Sequence, residues 1–217
     1  MMKTVFEGVY QMKSAFATLN ADKGRKVYNE KLVREGEKEY RLWDAFRSKL
    51  AAALKRGLKE FPFKKGSRIL YLGASYGTTV SHLSDIVGDG EIYAVEIAPQ
   101  CMHDLIELAE RRDNIIPIHA DARKPEQYEE VGKVEIIYQD VAQPDQGEIL
   151  LKNAKMFLKK DGIAMIAIKS QSIDVTKEPR QVFEEVLEKL GTDFEVLEKL
   201  KLDPFDKDHL FVVLRFR

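Results

Sequence analysis

The pattern of apolar and polar residues changes near residue 43. Over residues 1–42, apolar and polar side chains alternate in short stretches such as TVFEGVYQM and RKVYNEKLVREGEKEYRLW, without helical periodicity. Such alternation, interrupted by turns that carry Gly or Asn, is typical of short β-strands. The pattern therefore predicts a small β-rich N-terminal domain over residues 1–43 and a second domain over residues 44–217.

From Asp44 onward the apolar residues recur at helical spacing. The stretch DAFRSKLAAALKRGLKEF places apolar side chains at Phe46, Leu50, Ala53, Leu54 and Leu58. This spacing predicts an amphipathic helix with Asp44 as its N-cap. The polar face of that helix would carry five cations, namely Arg47, Lys49, Lys55, Arg56 and Lys59.

After Ser67, short apolar runs alternate with amphipathic stretches. The runs predict five strands, RILYLG, EIYAVE, NIIPIHA, VEIIYQD and GIAMIAIK. The stretches predict four helices, TTVSHLSDIV, APQCMHDLIELAERR, DQGEILLKNAKMFLK and EPRQVFEEVLEKL. Strand–helix alternation favours a parallel sheet with helices on both faces. The final runs, FEVLEKLKL and HLFVVLRFR, have no helix between them and predict an antiparallel pair. The second domain is thus predicted to be α/β, with a seven-stranded mixed sheet.

Polar residues follow each of the five predicted parallel strands. The strands lead in turn to a turn with Gly73 and Gly77, then to Glu96, Asp121, Asp140 and Lys169. The carboxyl ends of parallel strands meet at one edge, where open α/β sheets bind ligands. Each acid also has an ordinary explanation, since Asp140 or Glu96 could cap a following helix. The combination predicts a functional cleft.

The glycine-bearing turn YLGASYGTT allows two interpretations. Gly73, Ser75 and Gly77 give the G-x-S-x-G spacing of a hydrolase nucleophile elbow, for which His209 is the single candidate partner. The same glycines suit a cradle in which the backbone approaches a ligand at a helix N-terminus. Glu96 lies 19 residues beyond Gly77, where a nucleoside cofactor places an acid against its ribose. An NAD enzyme would normally carry G-x-G-x-x-G, so the spacing favours a different nucleoside.

Composition narrows the class of protein. No apolar run reaches 18 residues, and Lys and Glu interrupt the N-terminal stretch, so neither a membrane span nor a signal peptide is predicted. The single cysteine, Cys101, favours a reducing compartment, and a cytoplasmic location is expected. The four His and one Cys are scattered, so no metal site is predicted.

Charge is divided unevenly along the chain. Residues 1–70 hold 17 Lys and Arg against 8 Asp and Glu, whereas residues 71–217 hold 18 against 28. Such asymmetry is expected of a protein that binds a polyanion on one side. A solvated charged surface of the kind found in heat-adapted proteins is the alternative.

Six blocks of the sequence resemble the fibrillarin family, and they span nearly the whole chain. They are YRLWDAFRSKLAAAL, YLGASYGTTVSHLSDIVG, YAVEIAP, DARKPEQY, YQDVAQPDQ and HLFVV. The block YQDVAQPDQ is highly specific. The glycine- and arginine-rich tail of eukaryotic relatives is absent, so the chain is similar to archaeal members. Tyr71 stands where other class I methyltransferases usually carry an acid, a departure that the fibrillarins share.

The resemblance implies a class I, Rossmann-like methyltransferase that uses S-adenosylmethionine to methylate ribose 2′-hydroxyls of rRNA and tRNA. It also implies assembly with box C/D guide RNA, a Nop-family scaffold protein and a kink-turn-binding protein of ribosomal type. Two other interpretations remain open. One is a methyltransferase acting on a protein glutamine or a small molecule, and the other is a noncatalytic scaffold of a ribonucleoprotein.

The resemblance further implies which residues meet the cofactor. The methionine end would lie along Gly73, Ala74, Thr78 and Thr79. Glu96 would accept from the ribose hydroxyls with Ile97 against the adenine, and Asp121 would accept from the adenine amino group beside Ala122. The segment Asp140, Val141, Ala142 and Gln143 would close the site near the methyl group.

Sister 2′-O-methyltransferases use a Lys-Asp-Lys-Glu set, and the comparable set here would be Lys49, Asp140, Lys169 and His209. Asp140 would hold Lys169, and Lys169 would draw the proton from the hydroxyl or stabilise the developing oxyanion. Lys49 would hold the target phosphate or ribose, although an ordinary helix-surface charge is the alternative. His209 stands where sister enzymes carry Glu.

Overall fold

The computed structural model describes residues 3–217, and its N-terminal part is an antiparallel sheet of five short strands. They are β1 (Lys3–Phe6), β2 (Val9–Met12), β3 (Ala15–Leu19), β4 (Leu32–Glu35) and β5 (Lys38–Trp43), in the spatial order β1-β2-β3-β5-β4. The alternating pattern thus correctly predicted a β-rich unit. The first two residues of the predicted domain 1–43 lie outside the described residues, and its boundary stays a prediction.

A seven-stranded mixed sheet forms the larger part of the molecule. Its strands are β6 (Arg68–Leu72), β7 (Glu91–Glu96), β8 (Ile115–His119), β9 (Val134–Gln139), β10 (Leu158–Lys169), β11 (Phe194–Lys201) and β12 (His209–Phe216). The spatial order is β11-β12-β10-β9-β6-β7-β8. Strands β6 to β10 are parallel, and β12 lies antiparallel between β10 and β11. The predicted sheet and its antiparallel C-terminal pair are confirmed.

Helices cover both faces of this sheet. They are α1 (Lys49–Lys55), α2 (Thr78–Val87), α3 (Pro99–Ala109), α4 (Gln146–Phe157), α5 (Ser170–Ile173), α6 (Pro179–Leu190) and a 3-10 helix (Pro125–Val131). Along β6, Ile69 and Tyr71 pack into one apolar core, whereas Leu70 and Leu72 pack into the other. Burial on both faces explains why the parallel strands read as continuous apolar runs. Within residues 3–217, no helix is long and apolar enough to cross a bilayer.

The helix predicted from Asp44 is wrong in its bounds. It begins at Lys49 behind the N-cap Ser48, whose Oγ accepts a hydrogen bond from the Ala51 amide. The Asp44 carboxylate instead accepts from the Phe46 amide at 2.8 Å and closes a turn, a local bond that competes with helix. Phe46 is 72% exposed rather than in the core. Leu58 is buried although it lies beyond the end of α1. Its side chain therefore packs in the core without belonging to the apolar face of the helix.

Three smaller features were not predicted from the sequence. Strand β10 begins at Leu158 directly after α4, with a register irregularity between Leu158 and Ile163, instead of at Gly162. The 3-10 helix and α5 are short turns without an apolar period of their own. Segments this short contain too few residues for apolar periodicity to identify a helix or a strand.

The N-terminal sheet joins the larger unit through a buried group of charges. This interface cluster consists of Arg41, Glu30, Asp85 and Arg112. The fully buried Arg41 lies 2.6 Å from Glu30 and 2.9 Å from Asp85, and Arg112 lies 2.7 Å from Asp85. Charges withdrawn from water are tolerated only when they are paired and hydrogen-bonded in this way. The cluster therefore fixes the N-terminal sheet against α2.

Candidate functional site

A pocket of about 370 Å³ lies at the edge of the sheet where the parallel strands end. The residues predicted for the cofactor or for catalysis that line it are Lys49, Gly73, Glu96, Ile97, Asp121, Ala122, Asp140, Val141, Ala142, Gln143 and Lys169. These side chains come from segments far apart in sequence, and the parallel β6 to β10 bring them to one place. The geometry is that of a ligand site at the carboxyl edge of an open α/β sheet.

Four of the predicted residues do not line this pocket. Thr79 is buried with its Oγ1 2.9 Å from Ser48 Oγ, and the Thr78 carbonyl accepts a bond from the Ser81 hydroxyl. Ala74 is buried in the turn, where its amide donates to Val95. His209 lies on β12 opposite Lys169, next to the pocket. Their predicted roles stay predictions.

Four residues that were not among those predicted to bind the cofactor also line the pocket, namely Ser75, Val95, Ala120 and Ile149. Three of them are direct neighbours of predicted residues in the chain, and Ile149 reaches the pocket from α4. They contribute backbone or apolar surface, for which a single sequence carries no distinctive signal. Adjacency to the strand ends was the only available indication.

Gly73 allows two backbone segments to approach closely beside the pocket. Its φ is +81°, and a Cβ there would lie 3.0 Å from the Asp140 carbonyl carbon and oxygen. Any side chain would have to displace the segment after β9, which carries the central acid of the site. Gly73 therefore shapes a cradle that a larger residue would fill.

Ser75 does not have the surroundings of a hydrolase nucleophile. Its amide donates to Glu96 Oε2 at 2.7 Å, and its hydroxyl is directed to Cys101 Sγ at 4.0 Å. Within residues 3–217, no histidine hydrogen-bonds to the Ser75 hydroxyl. A nucleophilic serine needs an adjacent general base. The turn therefore fits a ligand cradle rather than a nucleophile elbow.

Glu96 is held by three backbone amides. Its Oε2 accepts from Ser75, and its Oε1 accepts from Ile97 at 2.9 Å and from Ala98 at 2.8 Å. A carboxylate offers about four acceptor positions. The carboxylate is therefore fixed in orientation at the pocket wall with one acceptor position left for a ligand hydroxyl.

Asp121 is paired with Arg123 across the same wall. Arg123 donates from Nη2 at 2.7 Å and from Nε at 3.0 Å, and its backbone amide also donates to the carboxylate. Hydrogen bonds from the Arg123 side chain lower the pKa of Asp121 below its ordinary value. The group remains an ionised acceptor at neutral pH, as contact with an amino group requires.

Three charged residues of the pocket and one neighbour form a lysine–aspartate cluster of Lys49, Asp140, Lys169 and Asp206. Lys169 Nζ lies 2.8 Å from Asp140 Oδ1 and donates to the Asp140 carbonyl at 2.8 Å. Lys49 Nζ lies 3.2 Å from both carboxylate oxygens of Asp140. The Lys169–Oδ1 contact is an ion pair without hydrogen-bond alignment. One carboxylate thus contacts the side-chain nitrogens of two lysines at the pocket.

Two opposing effects act on Lys49. Burial lowers its pKa, but the facing carboxylates of Asp140 and Asp206 together outweigh burial and raise the pKa above its ordinary value. Lys49 is therefore an ammonium group at neutral pH. The structure places this residue at the start of α1 and inside the pocket, so it is not a charge on an exposed helix face.

Asp206 is the member of the cluster that the sequence did not reveal. Its Oδ2 lies 3.5 Å from Lys49 Nζ, and its Oδ1 lies 3.0 Å from His209 Nδ1. His209 also hydrogen-bonds to the Lys207 carbonyl at 2.6 Å. His209 thus reaches the cluster through Asp206. An acid three residues before His209 was the available signal.

Ser48 and Thr79 tie the N-termini of α1 and α2 together beneath the pocket through their 2.9 Å contact. The next residue after Ser48 is Lys49, so this contact positions the ammonium group. Tyr71 lies fully buried nearby, stacked on Tyr138 at 4.6 Å, and burial raises its pKa well above the ordinary value. Tyr71 is therefore neutral and cannot act as the acid found at this position in other methyltransferases.

The whole sequence, residues 1–217, matches the model of the fibrillarin family. The fibrillarin-like rRNA/tRNA 2′-O-methyltransferase of Methanocaldococcus jannaschii is 50% identical over 98% of this chain and 95% of its own. An Aeropyrum pernix fibrillarin with natively bound S-adenosyl-L-methionine is 44% identical, with a TM-score of 0.88 over 99% of both chains. Fibrillarin in a fibrillarin/Nop5p complex is 44% identical, with a TM-score of 0.91 over 99% of this chain and 100% of its own. The chain belongs to the fibrillarin family.

Proposed function

We propose that this protein transfers the methyl group of S-adenosylmethionine to ribose 2′-hydroxyls of rRNA and tRNA. The observation that carries the proposal is Asp140, held between Lys49 and Lys169 at the edge of a pocket that suits a nucleoside. The names of the similar proteins support both the reaction and the substrate. The target nucleotides are selected by box C/D guide RNA.

The pocket fits S-adenosylmethionine in size and in chemistry. Gly73 provides the cradle, Glu96 keeps an acceptor position for ribose hydroxyls, and Asp121 is an ionised acceptor for the adenine amino group. Ile97 and Ala122 offer apolar surface to the adenine. When bound, the cofactor supplies an electrophilic methyl group on a sulfonium.

The lysine–aspartate cluster prepares the RNA hydroxyl for attack. A ribose 2′-hydroxyl is a weak nucleophile and must be oriented and relieved of its proton. Lys169 accepts that proton as the general base, and Asp140 stabilises the ammonium group that results. Lys49 remains cationic and holds the ribose or an adjacent phosphate oxygen. Asp140 also lines the pocket, so its carboxylate would stabilise the positive charge of a bound sulfonium.

Target selection requires partners. The similarity to fibrillarin in the Nop5p complex supports a Nop-family scaffold protein. The guide RNA and a kink-turn-binding protein complete the proposed particle, and the excess of cations over residues 1–70 suits contact with RNA phosphates. A cytoplasmic location stays a prediction.

The test is reconstitution with guide RNA, scaffold and kink-turn-binding protein, followed by mass-spectrometric mapping of ribose methylation. The expected product is one methylated ribose at the guide-specified nucleotide. Efficient site-specific methylation of bare target RNA would contradict the guide requirement. Label from the cofactor that appears in protein glutamine, and not in RNA, would favour the alternative substrate.

Calorimetric titration of the isolated chain tests the cofactor separately. S-adenosylhomocysteine should bind more tightly than NAD, because the Gly73 turn and Glu96 form a single nucleoside site. Tighter binding of NAD would contradict the proposed methyl donor. A chain that binds S-adenosylhomocysteine but gives no methylated product in the reconstituted particle would instead support a noncatalytic scaffold.

A further inference from the structure

We propose that Asp206 is a positioning residue that holds Lys49 in place as a permanent cation, and so leaves Lys169 as the amine that exchanges the proton. Nothing in the sequence blocks shared with the family singled out this acid. The inference rests on the proposed function, because it assigns different tasks to the two lysines of the methyl-transfer site.

The two lysines have unequal surroundings. Lys49 Nζ faces two carboxylates, with Asp140 at 3.2 Å and Asp206 at 3.5 Å. Lys169 Nζ faces one carboxylate, Asp140 at 2.8 Å, and the uncharged Asp140 carbonyl. Loss of a proton from Lys49 would leave two carboxylates facing a neutral amine, whereas loss from Lys169 would leave Asp140 still paired with Lys49.

The charges around Lys49 come from several elements. Asp140 follows β9, Lys169 ends β10, His209 begins β12, and Asp206 lies in the loop between β11 and β12. An opposite charge within about 4–6 Å favours the ionised form of a group by roughly 1–3 pKa units. The side chains here are partly exposed, so water screens the effect toward the low end of that range. Asp206 therefore stabilises the charged form of Lys49 more than that of Lys169.

The fold holds the turn that carries Asp206. The amides of Phe205 and Asp206 donate to the Leu202 carbonyl at 2.9 and 3.3 Å, which closes a turn before β12. The Phe205 ring packs edge-on against Phe46 at 5.2 Å. His209 Nδ1, which hydrogen-bonds to the Lys207 carbonyl, also lies 3.0 Å from Oδ1, and Oδ2 lies 3.5 Å from Lys49 Nζ. The second carboxylate that faces Lys49 is thus supplied by Asp206.

The first experiment compares single-turnover methylation by Asp206→Asn and wild-type chains in the reconstituted particle, between about pH 7 and about pH 9.5. We expect a loss of about threefold near pH 7 that grows to no more than about sixfold near pH 9.5, because Lys49 then loses its proton more readily but stays at least about half charged. Asp208→Asn makes the same charge change in the same loop, and the side chain of Asp208 makes no ion pair or hydrogen bond within residues 3–217. The methylation rate of the Asp208→Asn control should match the wild-type rate over the whole pH range.

The same Asp206→Asn substitution in a chain that also carries Lys49→Arg shows whether Asp206 acts on methylation through Lys49. An arginine cannot lose its proton in this pH range. In a Lys49→Arg chain, Asp206→Asn should therefore cause a loss that no longer grows with pH. A pH-independent loss in the wild-type background, or an equal growth in the Lys49→Arg background, would overturn the proposal. An equal pH dependence from His209→Gln would assign the effect to the imidazole and would also overturn it.

A third measurement needs no activity, so it separates this inference from the proposed function. Carbon-13 lysine NMR of the isolated chain should show Lys49 titrating at lower pH in Asp206→Asn than in wild type, with Lys169 changing less. Identical Lys49 titrations in both chains would refute the role of Asp206. A wild-type particle that fails to methylate RNA, combined with the expected NMR shift, would refute the proposed function alone.

Discussion

The interface cluster and the lysine–aspartate cluster differ in how deeply their charges are buried. In the interface cluster, Arg41 has no exposed side-chain surface and meets Glu30 and Asp85 at 2.6 and 2.9 Å. In the lysine–aspartate cluster, contacts run from 2.8 to 3.5 Å and the side chains remain 13–34% exposed. Arg41 and its carboxylate partners have no exposed side-chain surface, whereas Lys49, Asp140 and Lys169 line the pocket of the candidate site.

This difference in burial separates charge pairs that stabilise the fold from charge pairs that can take part in catalysis. A buried guanidinium that fills its hydrogen-bonding positions holds two elements together and has no protonation change to offer. The partly exposed lysines of the second cluster keep a side that faces substrate, and Lys169 is the one that can exchange a proton. Opposite consequences are therefore expected when each cluster is altered.

The largest expected effect is on catalysis. Lys169→Met should lower the single-turnover rate of the reconstituted particle about a thousandfold, as loss of a general base does. Affinity for S-adenosylhomocysteine and the melting temperature should stay near wild type. Lys160→Met, an exposed lysine of the same strand, is the matched control. A Lys169→Met particle that retains a tenth of the wild-type rate would remove Lys169 from the mechanism.

The interface cluster should respond in stability and not in chemistry. Arg41→Met leaves Glu30 and Asp85 buried with fewer counter-charges and should cost about 3–5 kcal/mol of unfolding free energy. Denaturant titration measures this loss. Arg34→Met removes an exposed partner of Glu39 and should cost less than about 1 kcal/mol. Equal losses of unfolding free energy in the two variants would show that the buried ion pairs of Arg41 stabilise the fold no more than an exposed ion pair does.

The pH dependence of stability should reveal His82, which is fully buried beside the interface cluster. Burial, together with Arg41 and Arg112, holds the pKa of His82 well below its usual value. Near pH 6.5 the unfolded chain therefore binds a proton at His82 that the folded chain does not bind. The free energy of unfolding thus falls as the pH drops below that point. We expect a loss of about 1 kcal/mol between about pH 6.5 and about pH 5.5. The same slope in His82→Gln would exclude His82 as its source.

The smallest expected effect concerns the link between α1 and α2. Ser48→Ala removes the N-cap of α1 and the contact with Thr79, and should cost about 1 kcal/mol of unfolding free energy. Methylation should slow by a few-fold, because Lys49 follows directly in the chain. Ser14→Ala, at an exposed position in the turn between β2 and β3, should change neither stability nor rate. A Ser48→Ala chain with wild-type stability and rate would show that the link has no influence on Lys49.

The sequence predicted the sheet well because burial on two faces leaves an unmistakable apolar signature in β6 to β10. It predicted most of the pocket because parallel strands bring their carboxyl ends together, so that Glu96, Asp121 and Asp140 follow from strand assignments alone. The sequence-based prediction was wrong for the start of α1. The Asp44 carboxylate forms a local hydrogen bond with the Phe46 amide, and the helix begins only after the N-cap Ser48.

Asp206 shows a second limit of sequence reasoning. Its contact with Lys49 joins residues 157 positions apart, and it depends on the turn after Leu202 and on the antiparallel return of β12. Long-range pairing of charges in loops leaves no local pattern. The interface cluster was missed for the same reason, since Arg41 and Asp85 belong to different sheets and helices.

The most direct test of the central claim is an Asp140→Asn particle, assembled with guide RNA and scaffold and mapped for ribose methylation by mass spectrometry. With native folding and native affinity for S-adenosylhomocysteine, this chain should leave the target ribose unmethylated under conditions in which wild type methylates it fully. Full-rate methylation of the same nucleotide by Asp140→Asn would contradict the assignment of the pocket and its two lysines to methyl transfer.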